Sequence, residues 1–346
     1  VRKLLVVGDD HAYCQPCFSP VWDTGLSGHA IAEADSAANP AVARATDWLR
    51  GKQINDLAGD WAWARPGVRP GGWAFQYENP YYPDVDDTAV VGMLLHREGR
   101  PQDEATIARA RDWIVGMQSH DGGWGAFDAD NDKFYLNHIP FADHGALLDP
   151  PTADVTARCV SFLAQIGMAA SDPVLARALV WLRRAQEADG SWFGRWGTNY
   201  IYGTWSVLCA LTAVGLPYDD AAIRRAVAFL RDTQREDGGW GEDNESYASA
   251  PHGRFDRSTP SQTAWALLGL MAAGEVESEA TRRGIAFLAA GQRDDGEWDE
   301  LPYTAVGFPR VFYLRYHGYR LFFPLMAMAR YRNLLRGNER RVAWGF

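Results

Sequence analysis

Cysteine is scarce in this chain, with four in 346 residues, too few to staple a domain of this size by disulfides. Cys14 and Cys17 form a single Cys-x-x-Cys, and no second cysteine or histidine pair completes a zinc set. Two reduced thiols in a loop are the default reading there, with a metal or redox role as the alternative. Cys159 and Cys209 lie in apolar helical stretches and read as small core residues, so cysteine usage fits a reducing compartment. A basic stripe is also lacking: the formal charge is -10, which argues against a nucleic-acid partner. No secretory signal is evident. No apolar run approaches the ~20 residues a spanning helix needs. The longest, Thr263 to Ala273, is bounded by Ser261-Gln262 and Gly274-Glu275 and reads as a buried helix. Strand signals are weak throughout. Aromatics, by contrast, are plentiful, with 15 Trp, 14 Tyr and 15 Phe, and their placement carries much of the information.

One pattern recurs five times: Arg, a small residue, an aromatic-aliphatic pair, Gln, then Gly-x-Trp. Its Gln and Trp positions are Gln53 and Trp61, Gln118 and Trp124, Gln186 and Trp192, Gln234 and Trp240, and Gln292 and Trp298. The spacing from Arg to aromatic to Gln suits a helix that ends near Gln, followed by a turn where Gly supplies positive φ. Second helical stretches rich in Ala and Leu lie between units, such as Val155 to Gly167, Thr204 to Val214 and Thr263 to Ala273. Two helices per unit predict helical hairpins in a ring or solenoid, an all-α repeat domain with no linker splitting the chain. The loops Asp128 to Pro151 and Glu242 to Pro260 are long enough to be functional.

The densest chemical feature is Pro83-Asp84-Val85-Asp86-Asp87-Thr88-Ala89, three carboxylates within four residues after the aromatic stretch Trp73 to Tyr82. Like charges packed this closely resist joint ionisation, so at least one carboxyl has reason to keep its proton near neutral pH. That makes a candidate strong acid. The same residues also admit a metal-binding reading.

These motifs together resemble a known family. The Gln … Gly-x-Trp units are similar to the QW repeats of triterpene cyclases, and Pro83 to Ala89 resembles the acid motif of squalene–hopene cyclases. Ser19-Pro20-Val21-Trp22-Asp23-Thr24-Gly25, Asn137 to Phe141, Gly190 to Gly197 and Ser258 to Trp265 agree with it, so the resemblance runs from about Ser19 onward. It implies the C-terminal catalytic part of such an enzyme, an all-α α6–α6 barrel in a terpenoid cyclase/prenyltransferase-like toroid. Residues 1–18 are then a segment leading in from a domain absent here, and 19–346 the barrel domain that carries the acid motif. The chain begins at Val1 without Met and enters Leu4-Leu5-Val6-Val7 directly, which suits part of a longer protein. With one cavity wall missing, the isolated chain is expected to be inactive.

The resemblance implies a proton-initiated, metal-free polycyclisation of squalene to hopene or hopanol without cofactor. Asp86 would be the general acid, and Asp84 and Asp87 would share hydrogen bonds and charge that hold it protonated. Asp154-Val155-Thr156-Ala157-Arg158 places Arg158 where the family often carries His. A guanidinium can stabilise the carboxylate that Asp86 leaves behind but cannot shuttle protons, so reprotonation would use water. Trp22, Phe75, Phe127, Trp196, Phe308, Phe312, Tyr316 and Tyr319 would stabilise the migrating cation with their ring faces, core packing being the competing role for each. Phe127 stands where some members carry Tyr. Phe141 would lie at the substrate-channel constriction, and the repeat Trp residues would be structural. The implied setting is the cytoplasmic face of a membrane, peripheral or monotopic, as a homodimer. The basic stretch Arg330 to Arg341 either touches anionic lipid or is a solvated helix end.

Two other functions compete. A magnesium-dependent terpenoid diphosphate cyclase or synthase would use the Asp cluster as a metal site, but no second metal motif or Lys/Arg diphosphate cradle accompanies it. A non-catalytic helical-repeat binding or scaffold domain would suit the repeats and leave the acid motif unexplained.

Overall fold

The computed structural model describes residues 4–15, 18–139, 147–248, 257–337 and 341–344. Eleven α-helices carry the architecture of these residues. In chain order they are α1 (Pro20–Ala34), α2 (Pro40–Arg50), α3 (Val85–Glu98), α4 (Glu104–Gly116), α5 (Ala153–Gln165), α6 (Pro173–Arg184), α7 (Tyr200–Ala213), α8 (Ala221–Asp232), α9 (Pro260–Ala272), α10 (Glu279–Gly291) and α11 (Tyr319–Arg336).

Two helix sequences alternate. In α3, α5, α7 and α9 nearly every residue of the first three turns is buried, polar ones included. In α2 and α6 only positions three or four apart are buried, and in α10 only Ala280, Thr281, Gly284 and Leu288, as on a helix with one face to solvent. The contacts follow from this. α1 packs on α3, α3 on α5, α5 on α7, α7 on α9, α9 on α11, and α11 back on α1, closing a ring of six inner helices. The even-numbered helices lean on the outside of their neighbours. The predicted α/α barrel is therefore present, with six inner helices and, among the described residues, five outer ones.

The repeat motif joins successive hairpins. Gln186 donates its amide both to the Gly190 carbonyl (2.8 Å) and to the Ala222 carbonyl in the first turn of α8 (2.9 Å), while accepting from Arg225. Trp192 turns its indole N–H back onto the Leu182 carbonyl at the end of α6, 2.7 Å away. Gln118–Trp124 and Gln234–Trp240 repeat this set. In the fifth unit, Gln292 donates to the Gly296 carbonyl and Trp298 to the Leu288 carbonyl. Gly190 sits at φ 96°, and a Cβ there would lie 2.5 Å from the Arg225 carbonyl oxygen, so both conformation and space require glycine. A Gln186→Ala substitution removes three bonds at one such joint. We expect it to lower unfolding free energy by about 1–3 kcal/mol, read from the urea midpoint.

The first unit corrects the sequence reading. Gln53 reaches not the Gly59 turn but the carbonyls of Gly71 and Thr106, both at 2.9 Å, and Trp73 is the indole that returns to its helix, at the Leu49 carbonyl. Trp61 belongs instead to a short turn, Asp60–Trp63, and packs edge-on against Trp113 at 5.9 Å. The Pro- and Gly-bearing insertion between Gln53 and Gly71 loops out, so the nearest Gly-x-Trp in sequence is not the one Gln53 touches.

Three short antiparallel ribbons accompany the helices. They are β1 (Leu5–Val7) with β2 (Ala12–Cys14), β3 (Trp73–Ala74) with β4 (Pro83–Asp84), and β5 (Ala305–Phe308) with β6 (Phe312–Leu314). The second and third bear directly on the site. Near the C-terminal ends of the inner helices, Glu33 accepts from Arg97 (2.9 Å), in the last turn of α3 where the helix dipole favours a cation, and from Arg330 of α11 (3.3 Å). Within the basic stretch Arg330 is thus buried in an ion pair, while Arg332 and Arg336 are exposed. Among the described residues no helix is long and apolar enough to cross a membrane.

Candidate active site

The acid motif is delivered by a strand-to-helix junction at the N-terminal end of the ring. Asp84 pairs with Trp73 across β3 and β4 and then caps α3, its Oδ1 accepting from the backbone N–H of Asp86 (2.7 Å) and Asp87 (3.1 Å). The junction is tied on both flanks. The Trp73 N–H donates to Thr88 Oγ1 at 2.9 Å, and the Val85 N–H to the Ala126 carbonyl at 2.7 Å. Asp86 and Asp87 follow in the first turn of α3, both buried.

Burial raises all three carboxyls. Asp86 is pushed up to about 7 by desolvation, against which Arg158 pulls downward while Asp154 adds repulsion. Asp84 rises well above the ordinary range through burial and the neighbouring Asp86, opposed by the two amides it caps. Asp87 rises through burial, Asp84, Asp86 and Asp23. Asp84 Oδ1 is spent on the backbone of α3, and Asp87 Oδ1 is buried without a hydrogen-bond partner. Crowding and desolvation keep protons here.

Arg158, one turn into α5, directs Nε at Asp86 Oδ1 (3.2 Å) and Nη2 at the Tyr202 hydroxyl (3.0 Å). Its guanidinium lies 4.4 Å from the Trp205 ring centre. Burial opposes the Arg158 charge, but Tyr202 and Asp86 more than offset that cost and raise its pKa. Asp154 does not bond to the motif. Its Oδ2 accepts the backbone N–H groups of Arg195 (2.9 Å) and Trp196 (2.8 Å), anchoring the segment that bears Trp196.

Above the carboxyls opens a cavity of about 300 Å³, and the eight aromatics expected to face the cation line it. Trp22 stands at the start of α1 and donates Nε1–H to the Tyr319 hydroxyl at 2.9 Å. Tyr319 stacks on Tyr316 at 4.7 Å, and Phe75 meets Tyr316 edge-on at 6.3 Å. Phe127 and Trp196 form a second edge-on pair at 6.0 Å, and Phe308 and Phe312 face each other across the β5–β6 hairpin at 5.3 Å. Asp84, Asp86 and Asp87 complete the lining together with Tyr202, Val306, Gly307 and Leu314. A larger cleft, about 530 Å³, lies by the end of α8 but is walled by charged turn residues such as Asp232, Arg235 and Glu236 and holds no such aromatic set. Phe141 lies outside the described residues. Among the described residues no group of three or more His, Cys, Asp or Glu side chains is arranged to hold a metal ion.

Several contributors escaped the sequence reading. Thr88, Thr156, Thr204 and Thr263 each accept, through Oγ1, the backbone N–H of the preceding repeat Trp, at 2.9 to 3.0 Å. Tyr202 and Trp205, on α7, hold the Arg158 guanidinium and carry no signal in the sequence that separates them from their helix neighbours. Asp149 gathers the N–H groups of Ala126, Phe127 and Asp128 at 2.6 to 3.0 Å and so fixes the loop that presents Phe127.

Comparison with known proteins adds independent findings. The family model described as squalene-hopene cyclase C-terminal domain matches residues 18–333. A squalene-hopene cyclase of Schizosaccharomyces japonicus is 60% identical, the match covering 100% of this chain and 54% of that protein. One of Alicyclobacillus acidocaldarius is 53% identical, covering 94% of this chain and 52% of that protein. The chain thus spans about half the length of the curated relatives it matches. Among solved structures, a type II terpene cyclase from Scytonema matches with a TM-score of 0.63 at 18% identity, over 90% of this chain and 88% of that one, a likeness of fold.

Proposed function

Since the chain belongs to the squalene–hopene cyclase family, we propose that it supplies the proton-donating part of an enzyme that cyclises squalene to hopene, hopanol or both. The observation that carries this reading is a buried carboxyl, Asp86, titrating near 7 at the floor of an aromatic cavity and touched by a guanidinium. An alkene is a very poor base, so an exposed carboxylic acid would not protonate it. Asp86 keeps its proton up to about pH 7 because burial disfavours its charge, while Arg158 at 3.2 Å stabilises the carboxylate left after transfer. The O–H proton forms a C–H bond at the terminal alkene, and the positive charge moves to the more substituted carbon. Ring faces of Phe75, Phe127, Trp196 and their neighbours then stabilise charge without offering a lone pair for attack. A cavity of about 300 Å³ is at the small end for ligand sites, so it would enclose the reacting end of the C30 chain rather than its whole length.

The test is conversion of squalene by the protein expressed from the complete coding sequence, with hopene and hopanol detected by mass spectrometry; absence of both would sink the reading. The magnesium alternative is opposed by geometry, since Asp84 spends its Oδ1 on helix capping and Asp86 turns Oδ1 to Arg158. We accordingly expect turnover to persist in excess EDTA, and a loss restored by magnesium would favour the alternative. An apolar substrate of this kind resides in bilayers, so the enzyme is proposed to sit on the cytoplasmic face of the membrane without spanning it, and to pair as a homodimer. Liposome flotation and sedimentation equilibrium check these two proposals.

A further inference from the structure

Resting on the cyclase reading for its chemistry, we infer that Arg195 is a positioning residue that locks the partition between the reaction cavity and a second chamber, keeping water from the cation until cyclisation is complete. The second chamber, about 290 Å³, shares Phe127, Trp196 and Phe308 with the reaction cavity, so these three rings separate the two spaces. Its other walls are mixed: Asp60, Asp128, Asn131, Asp149 and Arg195 lie beside Trp61, Leu147 and Leu148, so water entering this chamber finds polar groups to bind.

Arg195 lines the second chamber but not the reaction cavity. Its guanidinium lies 4.1 Å from the Trp196 ring centre and 5.8 Å from that of Phe308, and Nη2 donates to the Gly307 carbonyl at 3.0 Å. One side chain thus pins two rings of the partition and ties the Trp196 segment to the β5–β6 hairpin. Its Nη1 is buried without a hydrogen-bond partner. The backbone of the segment is held separately. Asp154 accepts the Trp196 N–H, and the Trp196 carbonyl accepts the Val306 N–H at 3.3 Å. Removing the Arg195 side chain therefore frees the ring while the backbone segment it belongs to stays in place.

The consequence is chemical. Water entering beside an intermediate cation donates a lone pair to the cationic carbon, forms a C–O bond, and loses one proton to solvent, leaving a partly cyclised alcohol. The intact partition denies that exit to all but the last cation.

The experiment compares Arg195→Met with wild type, both expressed from the complete coding sequence and supplied with squalene in ¹⁸O-water. Loss of two cation–π contacts and one hydrogen bond should raise the share of ¹⁸O-labelled, partly cyclised alcohols about tenfold, with KM within about twofold of wild type. Arg195→Lys, able to reach the Gly307 carbonyl but not to lie flat on the indole, should fall between. An unchanged product ratio, with only slower turnover or a lower melting temperature, overturns the inference. A second readout needs no activity. In protein carrying 5-fluorotryptophan, the ¹⁹F resonance assigned to Trp196 by Trp196→Phe should shift or broaden in Arg195→Met, and an unmoved line overturns the inference. Failure of wild type to convert squalene instead sinks the cyclase reading and leaves the fluorine test standing.

Discussion

Asp86→Asn is expected to reduce squalene conversion by at least about 10³-fold, because an amide of the same shape has no proton acidic enough to give. The substitution keeps the packing of α3's first turn, since Asp84 caps the helix through backbone amides that asparagine retains. Near-UV circular dichroism should therefore remain that of wild type, which separates loss of chemistry from loss of fold. Wild-type rates provide the companion test. With Asp86 near 7, the donor is protonated below that pH and emptied above it, so kcat/KM should be flat in mild acid and fall about tenfold per unit on the alkaline side. A rate that instead climbs from pH 6 to pH 9 would contradict a protonated Asp86 as the working species.

How much of this was legible beforehand depended on whether the relevant contacts are local in sequence. A Gln, a left-handed Gly and a Trp within a few residues of one helix end can be read directly, and four of the five units behave as that spacing predicts. The first fails because the insertion between Gln53 and Gly71 puts Trp73, not Trp61, at the end of the joint. The threonines that receive the Trp N–H groups were invisible for a related reason. Their separations from Trp are 15, 32, 12 and 23 residues, so no fixed period exposes them. The acid motif announced itself by crowding, but its electrostatics depend on Arg158, 72 residues away, and on burial that only the closed ring creates. Asp154 shows the limit of transferring a role by resemblance. It belongs to the segment expected to polarise the acid, yet its hydrogen bonds hold the Arg195–Trp196 backbone.

Arg158→Met separates acid strength from proton availability. Arg158 lowers the Asp86 pKa both by its charge and by a hydrogen bond, working against desolvation. Removing it leaves desolvation less opposed, so Asp86 rises above 7 and holds its proton to higher pH. The same change withdraws the charge that stabilises the carboxylate formed as the alkene is protonated, which makes the donor a weaker acid. The two effects have opposite signatures. The maximal rate should fall by about 10²-fold, while the alkaline limb of the kcat/KM profile moves to higher pH. A purely structural Arg158 would lower rate and melting temperature together and leave the limb in place. Some destabilisation is expected in any case, about 1–3 kcal/mol, because the Tyr202 hydroxyl loses its donor and the Trp205 face loses its cation. Arg158→Lys refines the comparison. It keeps a positive charge near Asp86 but cannot serve Asp86 and Tyr202 with one planar fork, so the limb should return toward the wild-type pH while the rate recovers only in part.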